Sequence, residues 1–166
     1  YLILTTQNMG LFNLFGKNKK SSQVTNEEHP NLEEEIVSHA KSFVEQLKEK
    51  FDMDYSVSSL EILDSILEST MEYYQTETDE TIKKRIIDRA SSYVFEVGRQ
   101  NFGGNYFWHD TFNQPVLITG QPEFEITLLA YDKVKGRLEN GIEDNIPFFF
   151  AGYIRGIERK GNAIIV

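Results

Sequence analysis

The sequence predicts an α+β domain with three N-terminal helices, a three-stranded antiparallel meander and two C-terminal helices. Three observations support this prediction. Apolar residues recur at helical spacing up to about residue 101, the apolar period then changes to two, and helical spacing returns after residue 130. The strand-forming runs follow one another without an intervening helix, which favours antiparallel hairpins over a parallel sheet with crossover helices.

Two capping sequences mark the starts of the first two helices. The segment "NLEEEIVSHAKSFVEQLKEKF" has apolar residues three and four positions apart, and its Asn31 and Glu34 have the spacing of a capping box. Ser58 and Glu61 have the same spacing at the start of "SSLEILDSILESTMEYY". We therefore expect the side chains of Asn31 and Ser58 to accept hydrogen bonds from the first backbone amides of these helices.

A third helix is predicted from about Glu80 to Asn101. Gly103 and Gly104 end it, because glycine readily adopts the positive φ angles of a helix stop and a sharp turn. The side chains that this helix is expected to bury are Ile82, Ile86, Ala90, Tyr93, Val94 and Val97.

Three short runs after the double glycine have the composition of strands. "NYFWHD", "PVLITG" and "FEITLLA" are rich in β-branched or aromatic residues, and the turn sequences "TFNQ" and "GQP" separate them. Tyr106 and Trp108 are expected on the inner face of the first strand. In the third strand Thr127 lies on the polar side of the alternation, so we expect one buried face and one solvated face.

Two further helices complete the predicted order of elements. "YDKVKGRLENG" is a helix that Gly141 ends, and a last helix begins near Asp144 with Pro147 in its first turn. The side chains that this last helix is expected to bury are Phe148, Phe149, Tyr153, Ile154 and Ile157.

The sequence divides into a single domain and two flanking segments. Residues 30–160 are predicted to form the α+β domain, residues 1–29 a leader, flexible tail and linker, and residues 161–166 a C-terminal tail. Within the leader, residues 9–20 combine a short apolar face with three lysines, which could touch an anionic membrane surface but, at one or two turns, would bind it weakly; the preferred interpretation is a frayed tail or a packing arm. The apolar residues of that face are Leu11, Phe12, Leu14 and Phe15.

Composition and charge narrow the class of partner. The 166-residue chain has 40% apolar residues, no cysteine and a formal net charge of −9. A negative charge of this size argues against nucleic acid, because binding a phosphate backbone needs clustered Lys and Arg. We therefore expect a protein partner, and a basic one suits the bulk charge best. A cytoplasmic location fits the absence of cysteine.

The sequence predicts neither a metal site nor a cofactor. His29, His39 and His109 are scattered rather than placed at the short spacing that zinc sites use, and thiolate ligands are absent. None of the glycine-rich phosphate-binding motifs occurs. "FGGN" follows a helix, whereas a phosphate cradle normally precedes one.

The segment "SSYVFEVGRQNFGGNYFWHD" contains the candidate site, centred on Glu96 near the apolar edge of the third helix. A buried carboxylate needs partners that replace its hydration, so we expect Glu96 to be partly buried and paired. The expected partners are Arg89, Lys133, Arg137 or backbone amides. The competing interpretation is acid/base chemistry with His109 or Asp110. The candidate binding residues are Arg89, Tyr93, Glu96, Trp108, His109, Lys133 and Arg137.

This region also resembles a family of small bacterial cytosolic proteins that has no established activity. In that family a Y-x-x-E helix leads to a GG-x-x-x-W strand, and a later helix reads K-V-x-x-R-x-x-N-G. The matching positions are Tyr93, Glu96, Gly103, Gly104, Lys133, Val134, Arg137 and Gly141. Ser91 and Phe95 stand where the family has glycine. The resemblance implies a cytosolic α+β protein and no particular activity.

Three functional hypotheses follow from these observations. The first is a non-enzymatic cytosolic protein that binds another macromolecule, in an accessory, regulatory or immunity-type role. The second is a hydrolase that uses Glu96 with His109 or Asp110. The third is a peripheral membrane factor attached through residues 9–20.

Overall fold

A computed structural model describes residues 24–25 and 28–166, so most of the predicted leader and linker lies outside the described residues. The α+β class and the five α-helices are confirmed. The helices are α1 (Leu32–Leu47), α2 (Ser59–Thr76), α3 (Glu80–Phe102), α4 (Ala130–Asn140) and α5 (Ile146–Arg159). The strands are β1 (Val24–Thr25), β2 (Asn105–His109), β3 (Gln114–Thr119), β4 (Ile126–Leu128) and β5 (Ala163–Ile165).

Within residues 24–25 and 28–166 the sheet is mixed and has five strands in the order β1-β2-β3-β4-β5. The predicted meander is its antiparallel centre, β2 to β4, but β5 pairs parallel to β4 and β1 pairs with β2. The prediction of a three-stranded antiparallel sheet is therefore wrong in the number of strands and in the direction of the last one. Residues 161–166, treated as a tail in the sequence, contain β5, whose three residues are too few to show a period of two.

The third predicted strand is buried on both faces. Thr127 is only 4% exposed, and it lies opposite Ile118 on one side and Ile164 on the other. The prediction that one face of this strand is solvated is therefore wrong. A strand that lies between two others has less solvent-exposed surface than the alternation of its apolar and polar residues suggests. The sequence did not predict the neighbouring strand β5.

The main core joins all five helices to one face of the sheet. In α3, Ala90, Tyr93, Val94 and Val97 are buried as predicted. Ile82 and Ile86 are only half-buried, and Ile87 takes the core position instead. Tyr106 and the partly buried Trp108 pack against this core, which confirms the predicted inner face of β2. The N-terminal half of α3 thus carries an apolar stripe that the fold covers incompletely.

The structure corrects the predicted helix caps. Neither Asn31 nor Ser58 makes a side-chain capping hydrogen bond, and the backbone of Ser58 is already helical. The described N-terminal caps are Asp79 for α3 and Asn145 for α5. The two predicted glycine stops are confirmed, because Gly103 ends α3 with φ 74° and Gly141 ends α4 with φ 85°.

We expect Asp79→Ala to lower the free energy of unfolding by about 1 kcal/mol, the usual effect of losing an N-cap. The Asp79 carboxylate accepts a hydrogen bond of 2.8 Å from the Thr81 amide, which is otherwise one of the unsatisfied donors of α3. Urea denaturation followed by circular dichroism measures the change. Thr78→Ala is the matched control one residue earlier, and an equal loss in both variants would contradict a capping role.

The last helix buries a different stripe from the predicted one. It begins at Ile146, and its buried residues are Ile146, Phe149, Phe150 and Tyr153. Phe148, which was expected to be buried, is 73% exposed, and Phe150 was missed. The predicted helix began near Asp144, but Asn145 caps α5 by accepting a hydrogen bond from the Phe148 amide. The helix therefore begins at Ile146, and its buried positions follow from that start.

Candidate functional site

Glu96 is buried in α3, as predicted, with 3% of its surface exposed. Its Oε1 accepts hydrogen bonds from Arg99 Nε at 2.6 Å and from the Tyr106 hydroxyl at 2.7 Å. Its Oε2 accepts from Arg99 Nη2 and from Gln100 Nε2, both at 2.9 Å. The predicted pairing with Arg89, Lys133 or Arg137 is wrong, because the cation one helical turn away reaches the carboxylate first.

These four hydrogen bonds determine the charge state of Glu96. Burial alone would raise the pKa of the carboxyl group, but the donors from Arg99, Tyr106 and Gln100 outweigh it and hold the pKa below its usual range. The hydrogen bond to Glu96 raises the pKa of Arg99. Burial, followed by the bond to Glu96, raises the pKa of Tyr106. Glu96 is therefore ionised at neutral pH beside two fully protonated donors.

The Glu96 carboxylate has no free acceptor position for a reacting proton. A carboxylate offers about four lone-pair sites, and four donors already occupy them. A general base has to reach a substrate or water proton directly. The arrangement is that of a structural carboxylate that ties the end of α3 to β2.

The structure does not bring His109 to Glu96. Tyr106 pairs with Leu117 across β2 and β3, and His109, three residues later, points to the opposite face of the sheet. The His109 ring is 8% exposed and lies 4.5 Å from the Phe112 ring. Its Nδ1 is buried and has no hydrogen-bond partner among the described residues. Asp110 is exposed in the turn that follows β2.

Arg137 belongs to a buried ion pair that the sequence did not reveal. It is 1% exposed, and its Nε and Nη2 donate to the two Asp64 oxygens at 3.0 and 3.1 Å. Asp64 also accepts from the Ile146 amide at 2.9 Å and from Asn145 Nδ2 at 3.2 Å. The pair therefore holds α2, α4 and the start of α5 together. The sequence feature that could have indicated this pair is Asp64 itself, an aspartate beside Leu63 on the apolar face of α2.

Two more candidate residues have structural roles. Tyr93 is fully buried, and its hydroxyl bonds Ser59 Oγ at 2.7 Å and accepts from the Tyr55 amide at 3.0 Å. Lys133 pairs with Asp144 at 2.8 Å, which fixes the turn between α4 and α5. Tyr93 is therefore inaccessible to a partner, and the Lys133 ammonium already has a carboxylate partner.

Arg89 and Trp108 line open cavities. The first cavity, here called the helical groove, lies between α1 and α2 over the N-terminal half of α3 and has a volume of about 360 Å³. Apart from Arg89, its lining includes Leu47, Ile66, Tyr73, Ile82, Arg85 and Ile86. Arg89 donates to Gln46 Oε1 at 2.9 Å and so bridges α3 to α1 at the rim of the groove.

The second cavity, of about 350 Å³, lies between α1, α3 and the sheet. Trp108 lines it and stacks on His29 with ring centroids 4.0 Å apart. The polar residues on its wall include Asp88, which already pairs with Lys84 at 2.6 Å. Glu35 and His39 also line this cavity, so its charged side chains are of both signs, whereas those of the helical groove are the two arginines Arg85 and Arg89.

Two searches of the described residues found nothing. Residues 24–25 and 28–166 contain no group of three or more His, Asp or Glu side chains placed to hold a metal ion. Within the same residues, none of the helices has the length and hydropathy to cross a membrane. Residues 9–20, the predicted membrane-contact segment, lie outside the described part of the chain.

Comparison with known proteins gives no relative. No protein-family model, curated protein or solved structure matches this chain. The resemblance to the bacterial cytosolic family therefore stays a prediction, and any function has to be argued from the site itself.

Proposed function

We propose that this protein is a non-enzymatic, protein-binding module and that the helical groove is its binding surface. The observation that carries the proposal is the incompletely covered apolar stripe of Ile82 and Ile86 on α3, bordered by Ile66 and the 52%-exposed Tyr73 of α2. Apolar residues that the fold leaves half-exposed in a concave surface are typical of sites that a partner covers.

The shape of the groove favours a helix as the bound element. Two helices, α1 and α2, form its walls, and α3 forms its floor. Grooves of this kind accept an amphipathic helix whose apolar residues recur at i, i+3, i+4 and i+7. Ile82 and Ile86 lie one turn apart and present a matching apolar row.

The charge at the rim favours acidic residues on the partner. Arg85 is exposed and makes no ion pair among the contacts of the described residues, and Arg89 bonds an amide oxygen rather than a carboxylate. The bulk charge of −9 predicts a basic partner, but the local field at a binding surface steers association. The proposed partner is thus an amphipathic helix with acidic residues beside its apolar face.

The two alternative functions have weaker support. The hydrolase hypothesis needs a carboxylate that is free to accept a proton, and all four acceptor positions of Glu96 are occupied. His109, its proposed helper, is on the other face of the sheet. The membrane hypothesis depends on residues 9–20, which lie outside the described residues. An accessory or regulatory binding role therefore has the best support in the described residues.

We expect the protein to bind an acidic amphipathic peptide in a saturable way. The probe is a fluorescein-labelled 18-residue peptide (the acidic peptide) with Leu at i, i+3, i+4 and i+7 and Glu at the flanking positions. Fluorescence anisotropy measures its affinity. Ile86→Ser is expected to weaken binding about tenfold through lost apolar contact. Arg85→Glu is expected to weaken it by a similar factor, with a loss that shrinks in high salt.

Two matched controls define the outcomes. Ile142→Ser removes an apolar side chain that is 66% exposed outside the groove, and it should leave the affinity unchanged. The basic peptide, with Lys in place of each Glu, should bind more weakly than the acidic one. Equal or tighter binding of the basic peptide would refute the acidic partner. Failure of both peptides to bind would refute the groove as the binding surface.

A further inference from the structure

The second cavity, between α1, α3 and the sheet, contains a buried serine whose hydroxyl group is not used by the fold. Ser92 lies on the cavity wall and is only 3% exposed. Its neighbour Ser91 donates to the Asp88 carbonyl oxygen at 3.3 Å, but Ser92 Oγ makes no hydrogen bond within residues 24–25 and 28–166. Buried hydroxyl groups are nearly always hydrogen-bonded, so a polar molecule in the cavity would supply the missing partner.

Helical spacing turns polar side chains of two helices toward this cavity. Asp88 and Ser92 are one turn apart in α3, and Glu35 and His39 are one turn apart in α1. Residues four positions apart share a helix face, so each helix presents a polar pair to the same space. In the part of the chain that the structure describes, the Glu35 carboxylate and the His39 imidazole have neither a hydrogen bond nor an ion pair.

A second unused hydroxyl group comes from α4. Tyr131 is half-buried on the same wall, and its Oη makes no hydrogen bond to any described residue. Burial, followed by the nearby Asp88 carboxylate, raises the pKa of Tyr131, so this hydroxyl group stays protonated and able to donate. Leu32, Ile36 and Trp108 add apolar surface beside it. Apolar walls with a few convergent polar groups are typical of small-molecule sites.

The charges and the size of the cavity favour a small neutral ligand. Lys84 and Asp88 pair at 2.6 Å, and Glu35 adds a second carboxylate. An anion would meet these two carboxylates, and a cation would meet the Lys84 ammonium. The volume of about 350 Å³ is near the lower end of the range of roughly 300–1,000 Å³ for ligand pockets, so it suits a single ring.

We propose that the second cavity binds a neutral monosaccharide. Sugar hydroxyl groups both donate and accept, which matches the hydroxyl groups of Ser92 and Tyr131 and the acceptor oxygens of Glu35. The C–H groups of the sugar ring pack against the apolar wall that includes Trp108. This site is independent of the helical groove, because the two cavities share no lining residue.

Tryptophan fluorescence reports directly on this cavity, because Trp108 is the only tryptophan of the chain. The probes are glucose, galactose, mannose and N-acetylglucosamine, each titrated into the full chain. At least one of them is expected to change the fluorescence in a saturable way, with a dissociation constant on the order of 1 mM for a ligand of this size.

Two substitutions test the hydroxyl groups without disturbing the fold. Ser92→Ala and Tyr131→Phe should each weaken binding of the responding sugar about fivefold, because each removes one neutral hydrogen bond. Neither variant loses a hydrogen bond within the described residues, so Tm should not fall. Ser65→Ala, at an exposed position of α2 outside the cavity, is the matched control and should leave the affinity unchanged.

Four results would overturn the proposal. The first is no fluorescence response to any of the four sugars. The second is tighter binding of choline or inorganic phosphate than of any sugar, which would assign the cavity to a charged ligand. The third is sugar binding that Ser92→Ala and Tyr131→Phe leave unchanged. The fourth is a clear fall of Tm in Ser92→Ala, which would show that the fold itself uses this hydroxyl group.

Discussion

Arg137→Ala is expected to lower the free energy of unfolding by about 3–5 kcal/mol, the usual loss when one partner of a buried ion pair is removed. In the part of the chain that the structure describes, the variant leaves the Asp64 carboxylate, 7% exposed, with the Ile146 amide and Asn145 as its donors. The Asp64 hydrogen bonds raise the pKa of Arg137, so the guanidinium stays charged throughout the folded state. Urea denaturation at pH 7 measures the change.

Two comparisons separate the ion pair from a general effect on α4. Lys135→Ala removes an exposed cation of the same helix, 4.0 Å from Glu139, and should change stability by less than about 0.5 kcal/mol. Asp64→Leu combined with Arg137→Met should recover much of the loss, because neither buried charge is then left alone. If Arg137→Ala costs no more than Lys135→Ala, the pair does not hold α2, α4 and α5 together.

Glu96→Gln is expected to destabilise the fold by about 1–3 kcal/mol, the range for spoiling a buried charged hydrogen bond. The amide that replaces one carboxylate oxygen turns a donor toward Arg99, Gln100 or Tyr106, each of which donates to Glu96 in the native protein. Thermal and urea unfolding measure the loss. Glu72→Gln, at an exposed position of α2, is the matched control and should be nearly neutral.

The stability that Glu96 contributes should depend on pH in a defined direction. The folded state holds the pKa of Glu96 below its unfolded value of about 4.5. A depressed folded pKa stabilises the protein above the unfolded pKa, and this stability disappears as pH falls through the folded pKa. The difference between the wild type and Glu96→Gln should therefore be full at pH 6–8 and shrink below about pH 4.

The same variant separates a structural glutamate from a functional one. If the carboxylate is structural, binding of the acidic peptide changes only to the extent that the fold is lost. An unchanged or raised melting temperature together with loss of binding would contradict the structural role and return Glu96 to the functional site.

Local features of the fold were predictable from the sequence where one residue type determines the conformation. The glycine stops after α3 and α4 belong to this class, as does the inner face of β2 with Tyr106. Capping boxes were less reliable, because Asn31 and Ser58 have the right spacing but not the right backbone. A cap needs the chain before the helix to arrive in a particular direction, and tertiary packing decides that direction.

Long-range pairings could not be predicted. Asp64 and Arg137 are 73 residues apart, and periodicity gives no information about which helices meet. For Glu96 the local partner Arg99 was within reach of helical spacing, but the donor Tyr106 arrives only after the turn at Gly103 and Gly104. The burial of a single carboxylate was therefore easier to predict than its partners.

The proposed binding site, the helical groove, differs from the site predicted around Glu96 for a related reason. Periodicity marks Ile82 and Ile86 as apolar-face residues, and a core stripe and a docking stripe give the same pattern. The difference appears only when α1 and α2 lie on either side of α3 and leave that end of the stripe half-exposed. Of the seven candidate residues, Arg89 alone lines this groove.

The most direct test of the proposed function is methyl NMR of isoleucine-labelled protein titrated with the acidic peptide. The proposal predicts shift changes at the Ile66, Ile82 and Ile86 methyl groups of the helical groove. Ile118 of β3 and the exposed Ile142 lie outside the groove and are internal controls that should stay unchanged. Shift changes confined to Ile118 or Ile142, or none at saturating peptide, would contradict a protein-binding role for the groove.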